Sequence, residues 1–267
     1  MADNPTGACN GSVPARLQDA ALPVLAIVAA LAAWEGWVRL AHTPVYVMPG
    51  PLDIARRLVE DMPYFVRHGA ITLLEAAGGF ALGCAASLVA ATVMAHSRAF
   101  ERTLYPVALL VKVTPIVAIA PLFVIWFGFG VFPKVLIAAL ITFFPVLVNA
   151  LTGFRSVNPG AMDFFQSVAA SPTEIFLKLR VPSAMPYLFA AFRITVPLSV
   201  IGAVVGEWFT GDRGLGSVII VAHNNIDMPT LFAAIVVLAA IGVGLTTLTG
   251  YAERRALFWH ESRMEAR

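Results

Sequence analysis

The sequence predicts an all-α integral membrane protein with six transmembrane helices. Of its 267 residues, 59% are hydrophobic and only 13% are charged, and the mean hydropathy is +0.80. Soluble domains carry roughly 25% charged residues, whereas a spanning helix needs about 20 consecutive apolar residues. These runs predict one membrane domain over residues 20–259, between a flexible tail (1–19) and a second tail (260–267). The predicted spans cover about residues 20–40, 70–95, 104–127, 135–152, 188–207 and 231–251.

The first run is longer than a secretory signal peptide and no small-x-small cleavage site follows it. Glu35 and Arg39, four positions apart near its end, are expected to pair on one helix face. A connector with a short amphipathic helix over about residues 52–61 leads to the second run. Glycines 78, 79 and 83 in that run predict close helix packing, because small residues let helices approach each other in lipid.

The third run contains a lysine, Lys112, followed by Pro115 and Pro121. A lysine at the centre of a membrane helix costs about 2.5–3.5 kcal/mol, so it is expected to face a partner or a wet cavity. One interpretation is that Lys112, with Thr114 and Pro115, lines a translocation pathway and attracts an anion. The alternative is that Lys112 reaches the inner interface or pairs with a carboxylate.

A polar interruption, residues 153–187, separates the fourth and fifth runs. A first short helix is expected from Ala161 to about Ala169, with Phe164, Phe165 and Val168 on one face. A second helix begins at Ser171-Pro172-Thr173-Glu174, a capping-box sequence with proline at the first helical position. It is expected to end where Pro182 disfavours helical geometry at Val181.

This interruption resembles the cytoplasmic coupling loop of the membrane subunits of ATP-driven, binding-protein-dependent importers (ABC importers). The family loop reads Glu-Ala-Ala, three residues, Gly, nine residues, Ile-x-Leu-Pro. With Pro182 as the last proline, the spacing is kept and several residue types differ. The corresponding and adjoining residues are Asp163, Phe164, Phe165, Ala169, Ser171, Pro172, Glu174, Leu179, Val181 and Pro182. Alanine replaces the corner glycine, and alanine tolerates a positive φ less well.

Further stretches resemble the nitrate, sulfonate, taurine and bicarbonate branch of these importers, which includes pyrimidine- and riboflavin-type carriers. The similarity extends from about Trp34 to Trp259. Its longest parts are Thr114–Gly130, which contains Trp-Phe-Gly-Phe-Gly, and Ile201–Trp208, which ends in Glu-Trp; the turn Arg213-Gly214-Leu215-Gly216 adds to it.

The resemblance implies a type I ABC importer-like fold with the coupling helix between the fourth and fifth spans. It also implies a homodimer of this chain, two copies of an ATP-binding subunit, and an extracytoplasmic solute-binding protein that delivers a small solute. That solute would be a sulfonate, taurine, a nitrate-like anion or a pyrimidine- or flavin-type heterocycle. The chain itself has no Gly-x4-Gly-Lys-Ser/Thr loop, so ATP hydrolysis would belong to another subunit. No cofactor, metal or nucleic acid is predicted.

The charge distribution predicts that both termini are cytoplasmic, in a bacterial inner membrane. With this orientation eleven of the 18 Lys and Arg residues lie inside, six outside and Lys112 within a span, as the positive-inside rule requires. Lys134 and Arg213 are then among the outer cations.

Three alternatives remain from the residues alone. The polar interruption could be an amphipathic loop on the bilayer surface. A membrane enzyme would need a nucleophile–base pair or a metal set, but Gly-x-Ser-x-Gly and His-Glu-x-x-His are both absent. A passive channel would not need the capped helix.

Overall fold

A computed structural model describes residues 15–258, with side chains from Leu22 onward. The predicted tail over residues 260–267, and residues 1–14 of the predicted tail over residues 1–19, lie outside this part of the chain. Within it, every regular element is a helix. The helices are α1 (Ala15–Leu40), α2 (Pro51–Glu60), α3 (Met62–His96), α4 (Arg98–Val113), α5 (Ile116–Phe127), α6 (Val131–Arg155), α7 (Pro159–Ser167), α8 (Pro172–Ile175), a π-helical turn (Phe176–Arg180), α9 (Val181–Thr210), α10 (Leu215–Asn224) and α11 (Met228–Ala256).

Five helical segments are long and apolar enough to cross a membrane: Leu22–Leu40, Met62–His96, Val131–Arg155, Pro172–Thr210 and Met228–Ala256. A sixth is obtained if α4 and α5, bent by 100° at their junction, form one broken span. The predicted all-helical membrane fold is therefore confirmed. Most segments extend beyond the apolar runs, because polar residues at their ends continue the helix.

The break between α4 and α5 follows from proline chemistry. Pro115 lacks an N–H and its ring restricts the residue before it to extended geometry. Thr114 accordingly has φ −74° and ψ 126°, and its backbone N–H closes α4 on the carbonyl of Leu110. The predicted third span is thus two helices that meet at an angle.

Small residues bring α3, α6 and α9 together at the centre of the bundle. Ala138 of α6 lies between Gly79 of α3 and Gly202 of α9, and a Cβ atom added to Gly202 would lie 2.6 Å from the Cα of Ala138. Close packing of the glycine-rich second run is confirmed, and on α9 the glycine Gly202 allows an equally close approach.

Glu35 joins the first helix to the next. Its carboxylate accepts a hydrogen bond from Arg39 at 2.7 Å, which confirms the predicted pair, and a second from the backbone N–H of Leu52 at 3.1 Å. The second bond satisfies a free N–H in the first turn of α2, where a negative charge is favourable.

The connector between the last two long helices is more ordered than the sequence suggested. Residues 211–229 contain α10, whose Leu215 and Val218 are buried. These side chains pack in a cluster with Phe65 of α3 and Ala233 of α11. Polar residues at both ends of α10 hide this apolar face from a reading of hydropathy alone.

Candidate functional site

The first helix of the predicted coupling loop, α7, begins two residues earlier than expected. The side chain of Asn158 caps it by accepting hydrogen bonds from the N–H groups of Gly160 and Ala161, and Pro159 occupies the first helical position. Phe164 and Val168 are 63% and 58% exposed, so the predicted apolar face is presented outward. Asp163 is also exposed, whereas Phe165 is half-buried.

Ala169 makes the corner with φ +52°, in the left-handed region that favours glycine. The N–H of Ala169 donates to the carbonyl of Gln166, and the N–H of Ala170 donates to the carbonyl of Phe165, both at 3.0 Å. This pair of bonds is a Schellman motif, which satisfies the last carbonyls of α7. The conformation typical of glycine is therefore retained with alanine in place.

The second helix of the loop starts with the predicted capping box. Ser171 Oγ accepts the N–H of Glu174 at 3.3 Å, and Glu174 Oε2 accepts the N–H of Ser171 at 3.0 Å. Pro172 follows the cap, and Lys178 donates to the other oxygen of Glu174 at 3.0 Å. These bonds fix the direction in which the helix leaves the corner.

The expected stop at Val181 and Pro182 does not occur. The chain passes from α8 through the π-helical turn into α9, and the N–H of Val181 bonds the carbonyl of Phe176, five residues back. We attribute the continuity to the wider π turn, which gives the ring of Pro182 room beside the preceding carbonyl. The loop is thus the beginning of one continuous helical segment, Pro172–Thr210.

Phe176 and Val181 connect this segment to the end of the bundle at which α3 and α6 finish. They pack against a core cluster that contains Phe154, Ala184 and Leu188. Leu179, on the same stretch, is half-buried. The loop therefore has two parts: α7 is exposed, whereas the π-helical turn packs against the spans.

The predicted pathway residues lie at the break between α4 and α5. Lys112, Thr114 and Pro115 line a cavity of about 370 Å³ that also touches α6 and α9. The ammonium group of Lys112 lies 4.9 Å from the ring centre of Phe144, a cation–π contact. Among the described residues no carboxylate forms an ion pair with Lys112.

A third group of residues was missed by the sequence reading: a buried charge cluster at the other end of α3, α6 and α9. Its charged members are Glu75, Lys134 and Glu207, which are 2%, 1% and 0% exposed. Lys134, expected among the cations of the outer side, is buried inside the bundle. It is buried because the backbone of Gly206 and the carboxylate of Glu75 close over it.

The N–H groups of the Lys134 ammonium face three acceptors in the cluster. They point to Asp212 Oδ1 at 2.8 Å, to Glu75 Oε1 at 3.0 Å and to the carbonyl of Arg213 at 3.1 Å. Burial raises the pKa of Asp212, but the hydrogen bond and the charge of Lys134 outweigh burial, so this pKa lies below its ordinary value.

Glu207 fastens the connector to α3. Its carboxylate accepts the hydroxyl of Thr72 at 2.7 Å and the N–H of Gly216 at 2.5 Å, while Thr72 accepts the N–H of Leu215 at 2.8 Å. A Cβ at Gly216 would lie 2.7 Å from this carboxylate, which explains the second glycine of the turn.

Two sequence signals could have revealed this cluster. Glu75 lies inside a predicted span, where an ionisable residue needs a partner. Gly-x-Gly shortly after the span-terminal Glu207 is typical of a backbone that closely approaches another group. Within the described part of the chain, no group of three or more His, Cys, Asp or Glu side chains could hold a metal ion.

Comparisons with known proteins agree with the importer resemblance. The formylaminopyrimidine transport permease protein ThiX of Halalkalibacterium halodurans is 34% identical over 83% of this chain and 88% of its own length. The riboflavin transport system permease protein RibX of Chloroflexus aurantiacus is 35% identical over 90% of each chain. The putative aliphatic sulfonates transport permease protein SsuC of Bacillus subtilis is 28% identical over 87% and 85%.

The fold also matches a solved structure, a chain in the crystal structure of an amino acid ABC transporter with histidines. The TM-score is 0.57 at 19% identity, and the match covers 74% of this chain and 97% of the other. The family model of the binding-protein-dependent transport system inner membrane component matches residues 83–257. With two relatives above 30% identity over most of its length, the chain belongs to this family and is an ABC transporter permease.

Proposed function

We propose that this permease imports a small anionic or heterocyclic solute, with residues 163–182 as the loop on which an ATP-binding subunit acts. The observation that carries the proposal is the exposed apolar face of α7, which adjoins a capped corner and a continuous helical segment leading into the bundle. An exposed apolar face next to a rigid element is a suitable docking surface for a soluble partner.

The proposed mechanism is mechanical. Two ATP-binding subunits would each hold the loop of one copy in a homodimer, and their closure on ATP would move both loops. The movement would pass through the π-helical turn to α9 and change access to the pathway between the copies. Because only contacts that differ between the two states can drive the change, these contacts should lie in α7 and α8. No covalent step is assigned to this chain.

The proposed orientation places both termini and the loop in the cytoplasm of a bacterial cell. Basic residues in and beside the loop support it: Arg155 ends α6, and Lys178 and Arg180 lie in the π-helical turn, as expected for a cytoplasmic surface. The buried charge cluster and α10 would lie on the opposite side, where a solute-binding protein delivers its ligand.

The substrate classes are those in the names of the relatives: formylaminopyrimidine, riboflavin and aliphatic sulfonates. Lys112 in the cavity at the span break favours a solute with negative charge, because its ammonium group has only an aromatic partner among the described side chains.

The test is reconstitution in proteoliposomes with the ATP-binding subunit and the solute-binding protein from the same operon. Each ligand class is added in turn, and ATP hydrolysis and ligand uptake are both measured. We expect one class to stimulate both. Uptake without ATP would indicate a channel, and chemical change of the ligand would indicate an enzyme.

The loop assignment has its own variant. Phe164→Ser should weaken co-purification of the ATP-binding subunit at unchanged membrane abundance, whereas Val59→Ser should not. Val59 is a matched control because it is a 73% exposed apolar residue on α2. Equal recovery with both variants would contradict the loop assignment.

A further inference from the structure

The charges in the buried cluster do not balance. Glu75 and Glu207 contribute two carboxylates, and Lys134 contributes one ammonium group, all at 2% exposure or less. Asp212 also contacts Lys134 but is 44% exposed, so water can solvate its charge. One excess negative charge is therefore left among groups that water does not reach, and an unpaired buried charge is costly.

The hydrogen bonds show which of the two glutamates lacks protein donors. Both oxygens of Glu207 already accept protein donors, from Thr72 and from Gly216. Lys134 divides its three N–H groups among three acceptors. Its contact with Glu75 is an ion pair, and neither oxygen of Glu75 receives a well-aligned hydrogen bond from the described residues.

The missing partner is a second carboxyl group. Glu207 contacts Thr72, which lies one turn before Glu75 on the same face of α3, so the two carboxyl groups are close neighbours. Two carboxylates at that separation repel, because each can only accept a hydrogen bond. If one carboxyl is protonated, the same contact becomes an O–H···O bond and the buried group of three becomes neutral. Glu207 has two donors that favour its ionised form and Glu75 has the ammonium group of Lys134, so the proton belongs to the pair and not to one member.

We propose that Glu75 and Glu207 together bind one proton, and that this proton locks the connector containing Gly214 and Gly216 to the bundle. The only change in covalent bonding is the carboxyl O–H bond of the pair. When the proton leaves for solvent, the two carboxylates repel, and the bonds from Gly216 and Thr72 to Glu207 are those that weaken.

The other groups that face the pair are few. His68 on α3 accepts the N–H of Gly214 through Nδ1 at 3.1 Å. Lys134 on α6 and Asp212 of the connector form the ion pairs already described. From α10, the hydroxyl of Ser217 donates to the carbonyl of Arg213 at 2.8 Å. Because water solvates the charge of Asp212, Lys134 balances one of the two glutamates and one excess negative charge stays on the pair.

The sign of the pH dependence follows from the bound proton. The folded protein holds a proton that a solvated glutamate in the unfolded chain releases at neutral pH. The folded state therefore binds more protons, and its stability falls as the pH rises. The stability that the proton contributes is fully lost once the pair has released it.

The direct test is infrared spectroscopy of the full-length chain in lipid nanodiscs near neutral pH. We expect a C=O stretching band of a protonated carboxyl group that shifts in D₂O. It should be lost in Glu75→Gln and kept in Glu60→Gln, because Glu60 is exposed on α2. Absence of the band from the unaltered protein, or an undiminished band in Glu75→Gln, would overturn the proposal.

Thermal unfolding gives a second readout. Glutamine at position 75 imitates the protonated acid, since its amide can donate to Glu207 and its oxygen can accept from Lys134. We expect Glu75→Gln to fold and to lose the fall in unfolding temperature that the unaltered protein shows as the pH rises above about 4.3, the ordinary pKa of a solvated glutamate. Glu207→Gln should unfold at a lower temperature at every pH, because an amide cannot accept both donors. Failure of Glu75→Gln to fold, or an unchanged pH dependence, would contradict a proton on this pair.

Discussion

The ring of Phe176 lies 5.2 Å from the ring of Phe154, which joins the π-helical turn to the end of α6. Phe176 also contacts His96, the last residue of α3, at 5.4 Å. One side chain on the loop therefore touches the ends of two long helices.

Phe176→Ala should reduce transport coupling. Each aromatic pair contributes about 0.5–1.5 kcal/mol beyond its buried area, so the truncation frees the loop to move without carrying the bundle. In proteoliposomes, ATP hydrolysis should continue while uptake falls. The matched control is Leu177→Ala, since the neighbouring Leu177 is 59% exposed. If Phe176→Ala transports normally at normal abundance, the contact has no role in coupling.

Substitutions at Ala169 should depend on the positive φ. Left-handed geometry costs a non-glycine residue roughly 1–2 kcal/mol, part of which is offset by the larger entropy of glycine in the unfolded chain. Ala169→Gly should therefore raise the free energy of unfolding by up to about 1 kcal/mol, as measured by thermal or denaturant unfolding in detergent. Ala161→Gly, inside α7, should lower it by about 1 kcal/mol. Two changes of the same sign would contradict the corner geometry.

Ala169→Trp addresses the loop's function rather than its stability. A bulky side chain at the corner should disturb the docking surface and either release the ATP-binding subunit or uncouple hydrolysis from uptake. Co-purification and paired measurements of hydrolysis and uptake distinguish these results. Normal transport by Ala169→Trp at normal membrane levels would count against residues 163–182 as the coupling loop.

Gly202→Ala should destabilise the bundle. The added Cβ would lie 2.6 Å from the Cα of Ala138, a backbone atom that cannot move aside easily. Overpacking of this kind costs about 1–3 kcal/mol, which a thermal unfolding assay in nanodiscs should detect. Gly242→Ala on α11 is the control, because no atom lies within 4 Å of its added Cβ. Equal stability of both variants would show that α6 and α9 can separate at little cost.

Lys112→Met should lower uptake if the ammonium group attracts an anionic solute to the cavity at the span break. Lys112→Arg keeps the charge and should retain more uptake than Lys112→Met. Both are compared at equal membrane abundance with the solute identified by reconstitution. An unaltered rate in Lys112→Met would assign Lys112 a structural role on the ring of Phe144.

The sequence was most informative where local chemistry decides the structure. Apolar run length predicted the spans, and the capping box predicted the start of α8. It was less informative where a distant contact decides. Pro182 predicts a helix end by itself, but the preceding π-helical turn carries the chain past it. The position of Lys134 near the end of a span suggested an exposed cation, although three acceptors from α3 and the connector surround it.

The unbroken segment Pro172–Thr210 affects which second substitutions can compensate for a first one. At about 1.5 Å per residue, its 39 residues would reach roughly 58 Å, well beyond a hydrocarbon core of about 30 Å. No loop interrupts this helical segment, so a disturbance on one side of the membrane can be passed to the other along it. A substitution beside Glu207 can therefore be compensated by one beside Phe176, and selection for restored growth should recover such distant second-site pairs.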